Sequence, residues 1–403
     1  MEKVTPKLRF PEFKKNWENK SFNSLYTFKS TNSFSRENLN YENGEIKNIH
    51  YGDIHTKFNT LFDITKEKVP FINPTIDISK IKEDSYVEKG DLIIADASEN
   101  YDDIGKMIEV VNVNDEKLVA GLHTFLAKRK NSNNAIGFTA NLVKTWNVRQ
   151  QILKIAQGTK VLSLSTGRLG EVTLTIPQPE EQQKIASFLT SVDERLTLLA
   201  QQKEKLELYK KGVMQQIFSQ KLRFKDENEN EYPDWEEKKL GEILDYEQPT
   251  KYLVSDTEYD NKYSTPVVTA GKTFILGYTN EKENIFPKEN LPVIIFDDFT
   301  TASQFVNFPF KAKSSAMKIL HAKEGQNIKF IFEVMQNIKF EVGGHGRHWI
   351  SKFANLYVDL PCLEEQQKIA SFLSAIDVQI EGVSKKIEQT KLFKKGLLQQ
   401  MFV

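Results

Sequence analysis

The ten residues Glu180–Leu189, EEQQKIASFL, occur again without change as Glu364–Leu373. A duplicated decapeptide constrains the fold more than any local motif, because a chain that carries it is built at least partly from one unit used twice. The match fades and then returns. Lys210-Lys211-Gly212, Gln215-Gln216 and Phe218 recur as Lys394-Lys395-Gly396, Gln399-Gln400 and Phe402, and 19 of 39 positions are identical between Glu180–Phe218 and Glu364–Phe402. A second repeated element precedes each copy. Lys7-Leu8-Arg9-Phe10, followed by Trp17, returns as Lys221-Leu222-Arg223-Phe224, followed by Trp235. Between these elements, residues 26–176 and 244–360 share no comparable similarity. The chain reads as two half-molecules in tandem, one frame with two different contents.

The repeated stretches have the marks of long helices. Pro177 and Pro361 stand just before them, where proline fits a helix start, and Glu180-Glu181 and Glu364-Glu365 fall in the first turn, where carboxylates complement the helix dipole. Apolar residues follow at spacings of three and four: Ile185, Leu189, Val192, Leu196, Leu199, Leu206, Val213 and Ile217. The second copy supplies Ile369, Leu373, Ile376, Ile380, Val383, Ile387, Leu397 and Met401. A sustained period near 3.5 is the coiled-coil pattern, and about 40 residues at 1.5 Å rise give roughly 60 Å of helix. Two such helices are expected to pair with one another as an antiparallel coiled coil. The alternative is that each packs on its own domain as an amphipathic helix. Lys210 and Lys394 fall on the seam and are expected to weaken it.

The fold class expected is mixed α/β (α+β) with a pseudo-two-fold internal repeat. A chain of 403 residues exceeds one comfortable core. The expected boundaries are a globular domain over 1–176 with a lead segment 1–25, a helix over 177–218, a second globular domain over 219–360 with a lead segment 219–243, and a second helix over 361–403. Within the globular regions, Val- and Ile-rich runs predict strands over 91–95, 106–113 and 172–176, then over 265–269, 292–296 and 316–320. Helices are predicted over about 142–157 and 325–339.

Composition narrows the function. Lys plus Arg and Asp plus Glu both number 55, so a basic bulk charge gives no argument for a nucleic-acid partner, although a local basic face remains open. The single cysteine, Cys362, excludes an intramolecular disulfide and a Cys-rich zinc site. No apolar run approaches the roughly 20 residues of a membrane helix. Met1–Phe10 lacks a secretory pattern, and a cytoplasmic protein is expected.

Several motifs resemble catalytic sites and fail on inspection. Ala270-Gly271-Lys272-Thr273 ends like a phosphate loop, but Pro266 stands where its first glycine is required. Asp234, Glu236 and Lys238 carry the letters of a metal-dependent nuclease, yet crowd into a repeated lead segment. A helix start capped by Asp234 is the better reading. His345 and His348 lie in a glycine-dense stretch that suits a ligand-contacting loop more than a metal site, and Asp297-Asp298 reads as a turn. No metal-ligating set and no catalytic centre emerge.

Two unlike globular regions alternating with two near-copies of a long helix resemble the specificity subunits of type I restriction–modification systems. The resemblance is carried by Lys7–Phe10 with Trp17, by Ile176-Pro177 leading into Glu180–Ala186, by Lys211–Phe218, and by their counterparts in the second half. It spans the whole chain. It implies that each variable region is a target-recognition domain for half of a bipartite, asymmetric sequence in double-stranded DNA, with the helices as spacer. It also implies two modification subunits methylating adenine N6 with S-adenosylmethionine, and two motor–nuclease restriction subunits using ATP and Mg. The chain itself would bind no cofactor and catalyse nothing. A scaffold presenting two protein-binding domains on a stalk is the competing reading.

Loops carry the candidate DNA contacts, because base readout needs polar side chains on a rigid frame and phosphates are held by Lys and Arg. The first region offers Tyr51, Gly52, His55, Lys57, Lys160, Thr166 and Arg168. The second offers Thr269, Gly271, Lys272, Tyr278, Lys311, Lys313, Ser314, His345, Arg347 and His348. By the resemblance, the turns at Gly52 and Gly271 look like recognition loops.

Overall fold

The computed structural model describes residues 5–130, 134–271, 273–338 and 348–403. The chain divides into two compact units, unit 1 comprising 1–200 with 386–403 and unit 2 comprising 201–385.

In unit 1 the lead strand Glu18–Ser21 pairs antiparallel with Thr173–Ile176, setting Glu18 opposite Ile176 immediately before the first long helix. A five-stranded sheet follows in the order Tyr26–Lys29, Thr124–Arg129, Leu92–Ala95, Met107–Asn112, Leu61–Asp63. A smaller four-stranded sheet carries Leu118–Ala120, Lys47–Ile49, Phe71–Ile72 and Leu39–Asn40. Leu92–Ala95 is apolar throughout and buried on both faces, as expected of a strand inside a covered sheet.

Unit 2 repeats this plan with unrelated residues. Glu236–Lys239 pairs antiparallel with Tyr357–Leu360 before the second long helix. Its main sheet runs Leu244–Glu247, Met317–Ala322, Val293–Asp297, Ser303–Val306, and a second sheet runs Ile275–Thr279, Thr265–Val268, Lys311–Ala312. The first three strands of the main sheet thus follow the same order as in unit 1. The helices predicted in the variable regions form over Trp146–Ile155 and Ile328–Asn337. Asp234 does not cap a helix: Glu236–Lys239 is a strand, because it completes the ladder with Tyr357–Leu360, and helix is confined to Leu240–Ile243.

The long helices run over Pro179–Phe218 and Leu363–Gln400. Each begins on a buried carboxylate. Arg9 forks onto Glu181 through Nε and Nη2, both at 2.7 Å, and the Trp17 indole N–H donates to the same group at 3.3 Å. In unit 2 Arg223 contacts Glu365 at 3.1 and 2.8 Å and Trp235 donates at 3.0 Å. The next residue is used twice as well. Gln182 donates to the Pro177 carbonyl and accepts from Ala135 N–H, while Gln366 donates to Pro361 and accepts from Asn327 N–H.

Within each unit one helix start lies beside the end of the other helix, an antiparallel arrangement. Ile185, Leu189 and Val192 share a core with Leu397, Met401 and Phe402 in unit 1, and Ile369, Leu373 and Ile376 share one with Val213 and Ile217 in unit 2. Each start also packs on its own globular region, through Trp17 and Phe138 or through Trp349 and Phe330, so the two packing modes coexist. Leu199 and Val383 are buried, while Leu196, Leu206, Ile380 and Ile387 are half-buried.

The seam lysines do not stand unpaired. Lys394 Nζ lies 2.5 and 2.7 Å from the two oxygens of Asp193. Lys210 Nζ lies 2.7 Å from Asp377 and 3.0 Å from Glu333, and Lys329 bridges the same two carboxylates at 2.9 and 2.6 Å. Burial pushes the Asp377 carboxyl up, but the two lysines hold it below the ordinary carboxylate range. The expectation that these lysines weaken the seam is corrected, because each meets a carboxylate that neutralises it there.

Removing either buried carboxylate leaves an arginine and an indole without their acceptor. Glu181→Ala is expected to lower the stability of unit 1 by about 3 kcal/mol, and Glu365→Ala that of unit 2 by a similar amount, in urea unfolding. Glu109 tests a different effect. Burial pushes this carboxyl up from 4.5 to about 7, although Ala140 N–H donates to it at 3.1 Å. The unfolded chain ionises first, so unit 1 should lose roughly 3 kcal/mol as pH rises from 4.5 to 7 and level off above that. Glu109→Gln should abolish this slope in unfolding measured at pH 5 and 7.5.

Candidate nucleic-acid interface

In unit 1 the candidates converge on one surface. Tyr51–Thr56 is a short helix rather than a glycine turn, and His50 Nδ1 caps it by accepting Gly52 N–H at 3.2 Å. A Cβ on Gly52 would come within 3.0 Å of the Arg36 guanidinium, so the glycine leaves room for Arg36 to reach buried Asp53 at 3.0 Å. Lys57 closes the helix, its ammonium 2.8 Å from Asp53 and 3.0 Å from the Tyr41 hydroxyl. His55 Nε2 donates to the Ala97 carbonyl at 3.1 Å. Ala97–Ser98 pairs with Leu162–Ser163, and Gln157 and Ser163 close the hairpin whose exposed tip holds Lys160. Leu164 N–H donates to the Asp96 carbonyl, and the chain continues into the short helix Thr166–Gly170, capped by Ser165, with Thr166 half-buried and Arg168 exposed.

Sequence reasoning missed three members of this surface: Arg36, Asp96 and His123. The Tyr51 ring packs against His50 at 4.6 Å, His55 at 5.7 Å and His123 at 5.3 Å. No local pattern marks His123, which reaches the group through the fold from some 70 residues away.

In unit 2, Thr269 and Gly271 form the turn between Thr265–Val268 and Ile275–Thr279, where Thr269 Oγ1 accepts Gly271 N–H at 2.9 Å. Tyr278 lies half-buried on the second strand. The turn holding Lys313 and Ser314 lies beside it, since Lys313 N–H donates to Val268 and its ammonium lies over the Tyr259 ring at 5.8 Å. In the turn after Val293–Asp297, Phe299 is exposed and Asp298 accepts the Trp349 N–H at 2.8 Å and faces Lys318 at 3.4 Å. Two candidates are corrected. Lys311 is buried and bound to Glu281 at 2.5 Å, and His348 is buried with its N–H on the Asp298 carbonyl, so neither faces solvent. The ion pair and the core claim these side chains. Lys272, His345 and Arg347 lie outside the described residues.

The repeated frame has a surface of its own. Glu180, Gln183 and Ser187 are exposed, as are their identical counterparts Glu364, Gln367 and Ser371. Leu208, Lys211 and Gln215 and their counterparts Leu392, Lys395 and Gln399 are exposed too, with Leu208 at 60 % and Leu392 at 68 %. Each set follows a spacing of one helical face. Nearby buried positions have drifted instead, Val213 standing against Leu397 and Ile217 against Met401. Packing cannot demand identity at exposed positions. Among the described residues no group of three or more His, Cys, Asp or Glu could hold a metal ion, and no helix is long and apolar enough to cross a membrane.

Comparison with known proteins adds to this geometry. The family model for the type I restriction modification DNA specificity domain matches residues 14–208 and 232–391. Among curated relatives, the EcoR124I/EcoR124II specificity subunit of Escherichia coli is 47 % identical over 141 residues, 34 % of this chain and 35 % of its own. The putative MjaX specificity subunit of Methanocaldococcus jannaschii is 28 % identical over 268 residues, 59 % of this chain and 60 % of its own. The chain thus spans about a third and three fifths of these relatives. The fold resembles the S subunit of a type I restriction-modification system from M. genitalium, with a TM-score of 0.65 at 16 % identity over 99 % of both chains. A chain from a structure on complex assembly and conformational transition of the type I R-M system gives 0.52 at 13 % identity, covering 96 % of this chain and 97 % of its own.

Proposed function

This chain belongs to the type I restriction–modification DNA specificity family, and from that premise we propose that it selects the DNA sequence on which a restriction–modification complex acts. The observation that carries the reading is one frame, repeated down to its buried Arg–Glu–Trp contacts, holding two unrelated sets of loops. Identical readers on a two-fold frame suit a palindrome, whereas unlike readers suit two different half-sites. Each unit therefore reads one half of a bipartite, asymmetric target in double-stranded DNA. A passive scaffold accounts for the repeated frame but gives no reason for the two contents to differ.

The chain is the non-catalytic member of the complex and acts in the cytoplasm. Adenine N6 methylation falls to a modification subunit that holds S-adenosylmethionine and receives the flipped base, a step costing a few kcal/mol that DNA positioned by this chain makes local to its target. Restriction falls to motor–nuclease subunits using ATP and Mg. The stripes of exposed identical residues, through Leu208 and through Leu392, support two copies of one modification subunit, because a surface kept the same twice suits one partner bound twice.

Methylome sequencing tests the reading. Expressed with a cognate modification subunit in a host lacking other systems, the chain should direct N6-methyladenine to one bipartite motif, lost when the chain is omitted. Exchanging residues 1–176 should then change one half-site only. An assembled complex without motif-specific methylation would count against the proposal. For docking, Leu208→Asp and Leu392→Asp should each reduce the bound modification subunits from two to one by native mass spectrometry, and the double variant should bind none. Two subunits retained on the double variant would exclude these stripes.

A further inference from the structure

We propose that Arg36, Lys57 and Lys68, gathered around buried Asp53 and the Tyr41 ring, form the phosphate-anchoring site of unit 1, which holds the DNA backbone beside the half-site that its loops read. The inference rests on reading the chain as a DNA-recognition subunit. What it adds is the place of the backbone contact, with two cations and a tyrosine that no motif marked.

The chain carries no excess of positive charge, so an electrostatic grip on DNA has to come from a local gathering of cations. The fold makes such a gathering from four separate segments. Asp53, wholly buried on the short helix Tyr51–Thr56, is its centre. Asp53 Oδ1 lies 3.0 Å from Arg36 Nη2 and 2.8 Å from Lys57 Nζ, and Oδ2 accepts from Arg36 Nη1 at 3.3 Å. The Lys57 ammonium also donates to the Tyr41 hydroxyl at 3.0 Å and lies 5.5 Å from the centre of its ring. Lys68 reaches the same ring at 5.1 Å. Three cations are thus set against one carboxylate. Glu37 and Glu67, the carboxylates next to Arg36 and Lys68 in sequence, accept from Ser35 and Asn59 instead.

The contacts suit phosphate rather than a base edge. A guanidinium reads guanine through two parallel N–H groups, but the Nη1–Nη2 fork of Arg36 is spent on Asp53. Lys57 keeps one of its three donors after Asp53 and Tyr41. Lys68 is exposed and makes no ion pair among the described residues. What faces outward is positive charge carried on N–H donors, which phosphate oxygens match and which holds no preference for one base. Arg36 and Lys57 are each 48 % exposed although both are tied to a buried group. Surface lysines ordinarily keep their rotamer freedom, whereas these side chains are ordered in advance, and a site ordered before binding loses less on contact. Hydrogen bonds to Asp53 and Tyr41 hold the Lys57 ammonium above its ordinary range, so it stays charged at neutral pH. The helix that carries Asp53 also carries Tyr51 and His55, which sets the anchor next to the candidate base-reading surface.

The test measures DNA binding by the complex of this chain with its modification subunit, between about 50 and 200 mM salt. The probes are a duplex carrying the motif that the wild-type methylome gives and a duplex with one half-site mismatched. Lys68→Gln is expected to weaken both alike and to lower the slope of log affinity against log salt by about one. Lys57→Gln combined with Lys68→Gln is expected to lower it by about two, with the methylated motif unchanged, and Lys68→Arg to restore the wild-type slope. A wild-type slope in the variants overturns this inference alone, and so does a changed motif, which marks base reading instead. Weaker binding at an unchanged slope marks a structural role and also overturns it. Lys68→Gln decides the matter by itself where loss of the Asp53 contact unfolds the double variant. A wild-type complex that methylates no motif overturns the underlying reading and this inference with it.

Discussion

A single buried carboxylate at the start of each long helix governs the frame. Glu181 and Glu365 are almost wholly buried, and such a charge is tolerable only when fully bonded. The arginine fork and the indole N–H supply those bonds, and both come from a lead segment more than 120 residues earlier in the chain. Lead segment, variable region and helix are thereby tied at one point. The neighbouring strand pair, Glu18–Ser21 with Thr173–Ile176 or Glu236–Lys239 with Tyr357–Leu360, closes the same loop through the backbone.

Such a closure leaves the intervening residues free. In each variable region the strand order at the centre of the main sheet is kept although the residues are unrelated, since a ladder depends on backbone groups and an apolar pattern rather than on particular side chains. Loops at the strand ends can therefore differ completely. One unit presents imidazoles and a tyrosine around Tyr51, while the other presents the Thr269 turn, the Lys313 turn and exposed Phe299. Division of labour between a fixed frame and variable loops is what the proposed reading of unlike half-sites requires.

The long helices show how polar groups can serve an apolar seam. Lysine at a core-facing position is costly when alone, but Lys394 meets Asp193 and Lys210 meets Asp377 and Glu333. Ion pairs of this kind add little net stability against well-packed apolar residues, yet a lysine shifted by one turn would lose its carboxylate, so the pairs favour one register. Asp193 and Asp377 are themselves among the identical positions of the repeat. Their retention was visible in the sequence, but its meaning was not, because pairing lysine with aspartate requires knowing the register in which the antiparallel helices meet.

The repeat, the two long helices, the most Val- and Ile-rich strands and one longer helix in each variable region, and the family likeness were legible from the amino-acid order, because periodicity and internal identity are local or self-referential signals; strands such as Tyr26–Lys29, Thr124–Arg129 and Ser303–Val306 were not, since only their pairing in the sheet marks them. Contacts made across the fold were not. Lys311 and His348 have the composition of surface contacts, and only the tertiary structure commits them to Glu281 and to the core around Asp298. Asp234 had the letters of a helix cap until Tyr357–Leu360 claimed the next residues for a strand. His123 carries no motif at all, and becomes prominent only where the sheet brings Asp96 and Tyr51 beside it. Sequence alone determined what kind of molecule this is, since that depends on patterns repeated along the chain. Tertiary structure decided which side chains remain free to meet a ligand, since burial and pairing arise between residues far apart in the sequence.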